Sequence, residues 1–164
     1  MSDLVHVFNF DLEFERTVLS GQKPTDVLPK KDTGFAECTG LEATMEPKVI
    51  KEGGRNYGPI QRPGPVTFAT VVLKRGISND IDLFKWFSEA TSQARFTNRR
   101  DVTITLRNAA RQPVMRWQLK NALPVKFKAA DLNARGMEVG IEELHLAHEG
   151  LRVNQPIVPL SELE

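Results

Sequence analysis

Only one stretch of this chain repeats with the period of a helix, and that limits what the rest can be. From Val66 to Phe87 the sequence reads VTFATVVLKRGISNDIDLFKWF. Val66, Phe68, Val71, Val72 and Leu73 form an almost continuous apolar, β-branched run, the composition of a strand buried on both faces. Lys74-Arg75-Gly76 reads as its stop. Ser78, Asn79 and Asp80 are N-cap candidates, and Leu83, Phe84, Phe87, Ala90 and Ala94 recur behind them at helical spacing, which predicts one amphipathic helix of about four turns. One such helix covers one face of a sheet. The other face needs a different cover.

The remaining patterned segments read as strands. His6, Phe8, Phe10, Leu12 and Phe14 alternate with polar residues, the period of a half-buried strand. Phe35 to Met45 reads as a second strand with a bulge at Gly40. Val102, Ile104 and Leu106 alternate with Thr103 and Thr105; after a turn at Asn108–Gln112, Met115, Trp117 and Leu119 alternate with Arg116, Gln118 and Lys120. Pro124 is expected to bend the chain, Val125 and Phe127 to continue it briefly, and Asp131–Gly136 to turn. Glu138 to Leu151 reads as a last strand whose apolar parity switches between Ile141 and Leu144, which places a bulge at Glu142-Glu143. Three segments break the pattern: an extended loop over 16–34, an excursion over 47–65 rich in Gly and Pro, and a terminal arm over 152–164. The expected fold is mainly β (α+β), an antiparallel barrel or sandwich of about six strands with one packed helix.

At 164 residues this is one domain, 1–164. No apolar run is long enough for a membrane span, and Met1-Ser2-Asp3-Leu4 lacks the start of a signal peptide, so the expectation is a chain made and kept in the cytoplasm with no membrane insertion. The 22 basic and 21 acidic side chains leave a net charge of +1, too little for global electrostatic steering onto nucleic acid. Cys38 is the only cysteine, which excludes an internal disulfide, and it reads as a buried structural residue. Gly53-Gly54 is not followed by a phosphate-binding motif. His145 and His148, with Glu142, Glu143 and Glu149, are the best metal candidates, but residues three apart on a strand point to opposite faces. Arg95, Arg99 and Arg100 beside Phe96 form a basic cluster that suits either a helix C-terminus or nucleic acid; the helix end is favoured. No catalytic residues, cofactor or metal are expected.

The phrases Gly34-Phe35-Ala36-Glu37-Cys38-Thr39-Gly40-Leu41-Glu42, Glu52-Gly53-Gly54-Arg55-Asn56, Pro63-Gly64 and Leu73-Lys74-Arg75-Gly76-Ile77 occur in that order. They are followed by Leu83-Trp86-Phe87, Arg116-Trp117, Asn121-Ala122-Leu123-Pro124-Val125-Lys126, Asp131-Leu132-Asn133-Ala134 and Glu142 to Leu151. Together the series resembles the tail-tube proteins of contractile phage tails and of phage-tail-like extracellular contractile injection systems. That resemblance implies a non-enzymatic structural subunit forming hexameric rings, stacked into the inner tube around a cargo-conducting lumen. It implies as partners the chain itself, a sheath protein, baseplate and tail-cap proteins, and cargo or DNA passing through the lumen. It further implies assembly in the bacterial cytoplasm into a phage tail or an extracellular particle.

On this reading, Lys48, Lys51, Glu52, Gly53, Gly54, Arg55, Asn56 and Tyr57 belong to a loop reaching an adjacent subunit or ring, and Thr103, Thr105, Arg116, Gln118 and Lys120 face the lumen. The longer 16–34 loop and the extended tail keep open a specialised initiator ring joining tube to baseplate. A small-ligand-binding β-barrel and a nucleic-acid binder acting through the arginines are the readings from other classes.

Overall fold

The computed structural model describes residues 6–7, 9–16, 31–32, 34–54, 57–92 and 99–154. Most of the 16–34 loop lies outside them, as do Arg55, Asn56, Ala94, Arg95, Phe96 and the tail beyond residue 154.

The chain runs β1 (Phe10–Arg16), β2 (Lys31–Asp32), β3 (Phe35–Thr39), β4 (Ala43–Met45), β5 (Lys48–Ile50), β6 (Ile60–Arg62), β7 (Val66–Phe68) and β8 (Val71–Gly76). It continues through α1 (Asp82–Ser92), β9 (Arg100–Arg107), β10 (Pro113–Lys128), β11 (Ile141–Ala147) and β12 (Gly150–Asn154). The main sheet follows the order β2-β1-β9-β10-β11-β8-β3, with β12 also on β10, and every pairing is antiparallel. The mainly β, one-helix, antiparallel architecture is the expected one. The strand number exceeds the expectation because four short strands occupy the Gly/Pro-rich excursion and its flanks, β2 lies within the expected 16–34 loop, and β12 separates from β11.

β10 organises the molecule. Its first half pairs β9 on one side and β12 on the other, and its second half pairs β11, so one strand of 16 residues belongs to two layers. The turn between them is local: the β9 register shifts between Leu119 and Ala122, where Asn121 takes φ 50° and its N–H donates to Asp101 Oδ1 at 2.9 Å. A bulge of this kind bends a strand without ending it. Pro124 therefore sits inside the strand, next to a second register irregularity, where its missing N–H is tolerated.

The two layers enclose a core of Leu12 and Phe14 (β1), Phe35 (β3), Val71 and Leu73 (β8), Val102 and Ile104 (β9), Leu119 and Ala122 (β10), and Leu144 and Leu146 (β11). α1 closes it with Leu83 and Trp86, the Trp86 ring meeting Phe14 edge-on at 5.9 Å. Each such fully buried side chain contributes roughly 1.5–3 kcal/mol relative to exposure. Trp86 escaped the helical repeat read from the sequence, whereas Phe84 is half exposed and packs on Phe127 at 5.5 Å.

Several expectations are corrected. The Val66–Leu73 run is two strands: β7 is exposed, and β8 alternates buried with half-buried residues and continues through Gly76. The helix begins at Asp82, where the Ile81 carbonyl accepts from Lys85 N, while Ser78 Oγ accepts from Asp80 N in a turn upstream. Gly40 does not bulge a strand but ends one, with φ +87° and a position where a Cβ would lie 2.2 Å from the Thr70 carbonyl oxygen. Glu138–Leu151 is not one strand. β11 pairs β8 without a break across Glu142-Glu143, and after a turn β12 carries the chain to Asn154, inside the segment expected to be an arm.

Candidate assembly interface

Register places the lumen candidates on one surface. Reading across β1, β9, β10 and β12, Asp11, Thr105, Arg116 and Asn154 form one row, and Glu13, Thr103, Gln118 and Arg152 the next. Lys120 follows opposite Gly150. The reverse side of the same strands carries Leu12, Phe14, Val102, Ile104 and Leu119 into the core. Strict alternation thus gives a four-strand sheet with one packed face and one polar face. The polar face is itself graded, from acidic on β1 to basic on β10 and β12.

Thr103, Arg116, Gln118 and Lys120 are accessible, Arg116 the most fully. Thr105 differs: it is only 2% exposed. Its short side chain lies between its register partners Asp11 and Arg116, and Arg107, next along that face, donates from Nε to Asp11 Oδ2 at 2.8 Å. Thr105 is a floor beneath longer side chains, not a wall residue in contact with solvent.

The lateral edges of this sheet are open among the described residues. β12 pairs only β10, and β1 is capped by the two-residue β2 at Leu12 and Glu13 alone. Open edges template further strand pairing.

The excursion at 47–65 is a projecting ribbon rather than an irregular loop. β4 pairs β7 (Met45 opposite Val66), and β5 pairs β6 (Ile50 opposite Ile60). Pro47, Pro63 and Pro65 fall between the two ladders, where Glu46 N donates to the Pro65 carbonyl at 3.1 Å. Lys48, Lys51, Glu52, Gly53, Gly54 and Tyr57 are all exposed, Tyr57 to 96%. Exposed with them are Met45, Val49, Ile50 and Val66. A two-stranded ribbon is marginal in water without something to lie against.

The sequence missed a buried ionic cluster behind the helix. Arg75 is Cα-paired with Glu142 on β11 and Phe35 on β3. Its Nε donates to Glu142 Oε1 at 2.6 Å, its Nη2 to Asp82 Oδ1, and its guanidinium lies 5.8 Å from the Phe35 ring centroid. Asp82 Oδ1 also accepts from Leu83 N at 2.8 Å, which ties the cluster to the helix start. Burial alone lowers the Arg75 pKa, but the hydrogen bonds and charges of Asp82 and Glu142 outweigh it and hold the group above its ordinary value. The signal was parity: Arg75 continues the inward series Val71, Leu73, and Glu142 the inward series Leu144, Leu146.

The other candidates are occupied internally. Arg100 is buried over the Trp86 ring, and Arg99 donates to Glu149 Oε1 at 2.6 Å. Both flank the start of β9, and the last turn of α1 holds no basic residue, so the helix-dipole reading does not apply to them. His145 faces Glu143 at 3.3 Å on β11. His148, in the following turn, donates from Nδ1 to the Gly150 carbonyl at 3.0 Å and packs at a tilt against the Phe68 ring, centroids 5.1 Å apart. Burial pushes the half-buried Cys38 thiol up to about 12.

Comparison with known proteins finds one family model, described as T4-like virus tail tube protein gp19, matching residues 6–152. No curated protein matches the sequence. Among solved structures, a chain of the sixfold-symmetrised anti-feeding prophage baseplate is 24% identical, with 96% of this chain and 100% of that chain covered and a TM-score of 0.73. A chain of the extended PVC sheath–tube complex, an extracellular contractile injection system, is 19% identical with 93% of each chain covered and a TM-score of 0.77. Hcp1 from Flavobacterium johnsoniae is 12% identical, with 91% of this chain and 97% of Hcp1 covered and a TM-score of 0.56. At these identities the structural likeness is one of fold.

Proposed function

We infer the function of this chain from its family: it belongs to the T4-like virus tail tube proteins, and its role is that of a structural subunit of the inner tube of a contractile tail or injection system. It assembles as stacked hexameric rings around a lumen through which cargo or DNA passes, inside a sheath and between baseplate and cap. The observation that carries this reading is the four-strand sheet with a polar face and two open edges.

Strand direction makes the edges compatible with a ring. β1, β9, β10 and β12 alternate in direction, so β12 runs opposite to β1. Rotation about a ring axis preserves each strand's sense along it, and β12 of one protomer therefore meets β1 of the next antiparallel. Pairing of β12 on β1 in this way requires the two-residue β2 to leave the β1 edge, and the joined wall then continues the alternation. The charge gradient supports the same junction, since it sets the basic side of one protomer's sheet toward the acidic side of the next. Thr103, Gln118, Arg116 and Lys120 then line the lumen as a hydrated wall.

The test is the oligomeric state of the full chain by size-exclusion with light scattering, followed by electron microscopy. Rings or tubes are expected. A strict monomer at high concentration, unchanged by baseplate or sheath partners, would sink the proposal. A ring that joins tube to baseplate is the second reading, favoured by the likeness to a chain of a baseplate structure. Labelled protein located only at the tube base in assembled particles would decide for it.

A further inference from the structure

We propose that β2 is a removable cap: in the lone protomer it occupies the β1 edge, and a neighbour's β12 displaces it when a ring closes. The inference rests on the ring reading and adds to it the exchange that separates monomer from ring.

β2 lies on the strand edge that the ring junction uses. Its two residues pair with the middle of β1, Asp32 opposite Leu12 and Lys31 opposite Glu13, on the side of β1 away from β9. β1 is seven residues long, so both of its ends lie outside this ladder. A bare strand edge templates pairing with any other chain, and a very short edge strand is one way a folded protein blunts it. β2 has that place and that length.

Its length also makes the cap weak. In an antiparallel ladder, opposite residues exchange hydrogen bonds only at every second position, so two residues engage β1 through about two bonds. β12 is five residues long and pairs β10 throughout, and its other edge offers about four to six bonds of the same kind. Replacing β2 by β12 therefore gains ladder bonds, but β2 must leave first. The C-terminal end of β1, from Phe14 to Arg16, gives an incoming strand a place to start, and pairing that spreads toward Glu13 and Leu12 strips the cap. A strand held by that end alone is weakly bound, so dilute protomers meet without joining. A protomer already held beside its neighbour, as on a preformed ring, completes the exchange, because the second contact is then intramolecular. The cap makes ring closure depend on concentration or on a template.

The experiment locks the cap and releases it in one protein. Glu13→Cys and Lys31→Cys are introduced together in the full chain with Cys38→Ala, which leaves two cysteines directly opposite in the ladder, at a Cα separation that a disulfide spans. Oxidised and reduced samples are followed by size-exclusion with light scattering and by electron microscopy. The reduced protein is expected to form rings, and the oxidised protein to need at least tenfold higher concentration. Lys31→Pro with Asp32→Pro removes the amide donors of the cap and is expected to lower the ring-forming concentration at least threefold. Equal assembly of the oxidised and reduced protein, equal assembly of the proline variant and the parent, or failure of the two cysteines to join in the monomer would overturn the cap and leave the ring reading standing. Absence of rings in every form, the parent included, would overturn both.

Discussion

Arg75 is the residue on which the helix and two strands converge. Removing one partner of a buried ion pair leaves an uncompensated charge, which costs about 3–5 kcal/mol. Arg75→Met strands both Asp82 and Glu142 and is expected to lose about that much in urea denaturation; a loss below about 1 kcal/mol would show that the cluster is structurally idle. Glu142→Gln keeps an acceptor for Arg75 Nε and is expected to cost less. His148 gives a pH dependence of defined sign. Burial holds its pKa below the ordinary 6.5, against the opposing hydrogen bond to Gly150. The unfolded chain therefore binds a proton that the folded chain resists, so stability is complete above about pH 6.5 and falls as pH drops toward the folded value. Comparing denaturation midpoints near pH 7 and near pH 5, His148→Gln should flatten the decline; an unchanged slope would assign the effect elsewhere.

Among the elements, the ribbon depends on its root. Gly40 combines a positive φ with backbone 2.2 Å from where a Cβ would sit, so Gly40→Ala is expected to destabilise by more than about 1 kcal/mol and to expose the β3–β4 junction to protease. A fully resistant variant would show that the junction relaxes freely. Strict alternation of polar and apolar residues makes strands legible: β9 and the first half of β10 lie where the period places them, whereas β1 begins at Phe10 rather than His6 and runs on to Arg16. What failed were the points where a charge occupies an inward position. Glu142 on the core side of β11 mimics a bulge, and Arg75 on the core side of β8 mimics a stop, because hydropathy records neither pairing nor partner. The ribbon reads as loop in the sequence because Pro47, Pro63 and Pro65 mask two short ladders. The lumen candidates were found as a face, yet Thr105 shows that alternation assigns a side without measuring how far neighbours cover it.

For the whole molecule, the graded face makes assembly sensitive to charge while the monomer is not. Arg152 is exposed on β12, the strand facing the proposed junction. Arg152→Glu should leave thermal unfolding of the monomer within about 0.5 kcal/mol of the parent. It should also raise the concentration needed for ring formation, most strongly at low ionic strength, as followed by light scattering across a salt series. Equal assembly at every salt concentration would remove Arg152 from the junction.

β10 also has a mechanical meaning. Its 16 residues run unbroken from the polar wall into the second layer, a covalent span of roughly 53 Å. In most two-layer folds, shear between layers is resisted by side chains that can slip. Here a thrust along the polar-faced layer enters the second layer through peptide bonds, and the layers cannot slide apart until the strand they share is unzipped from both.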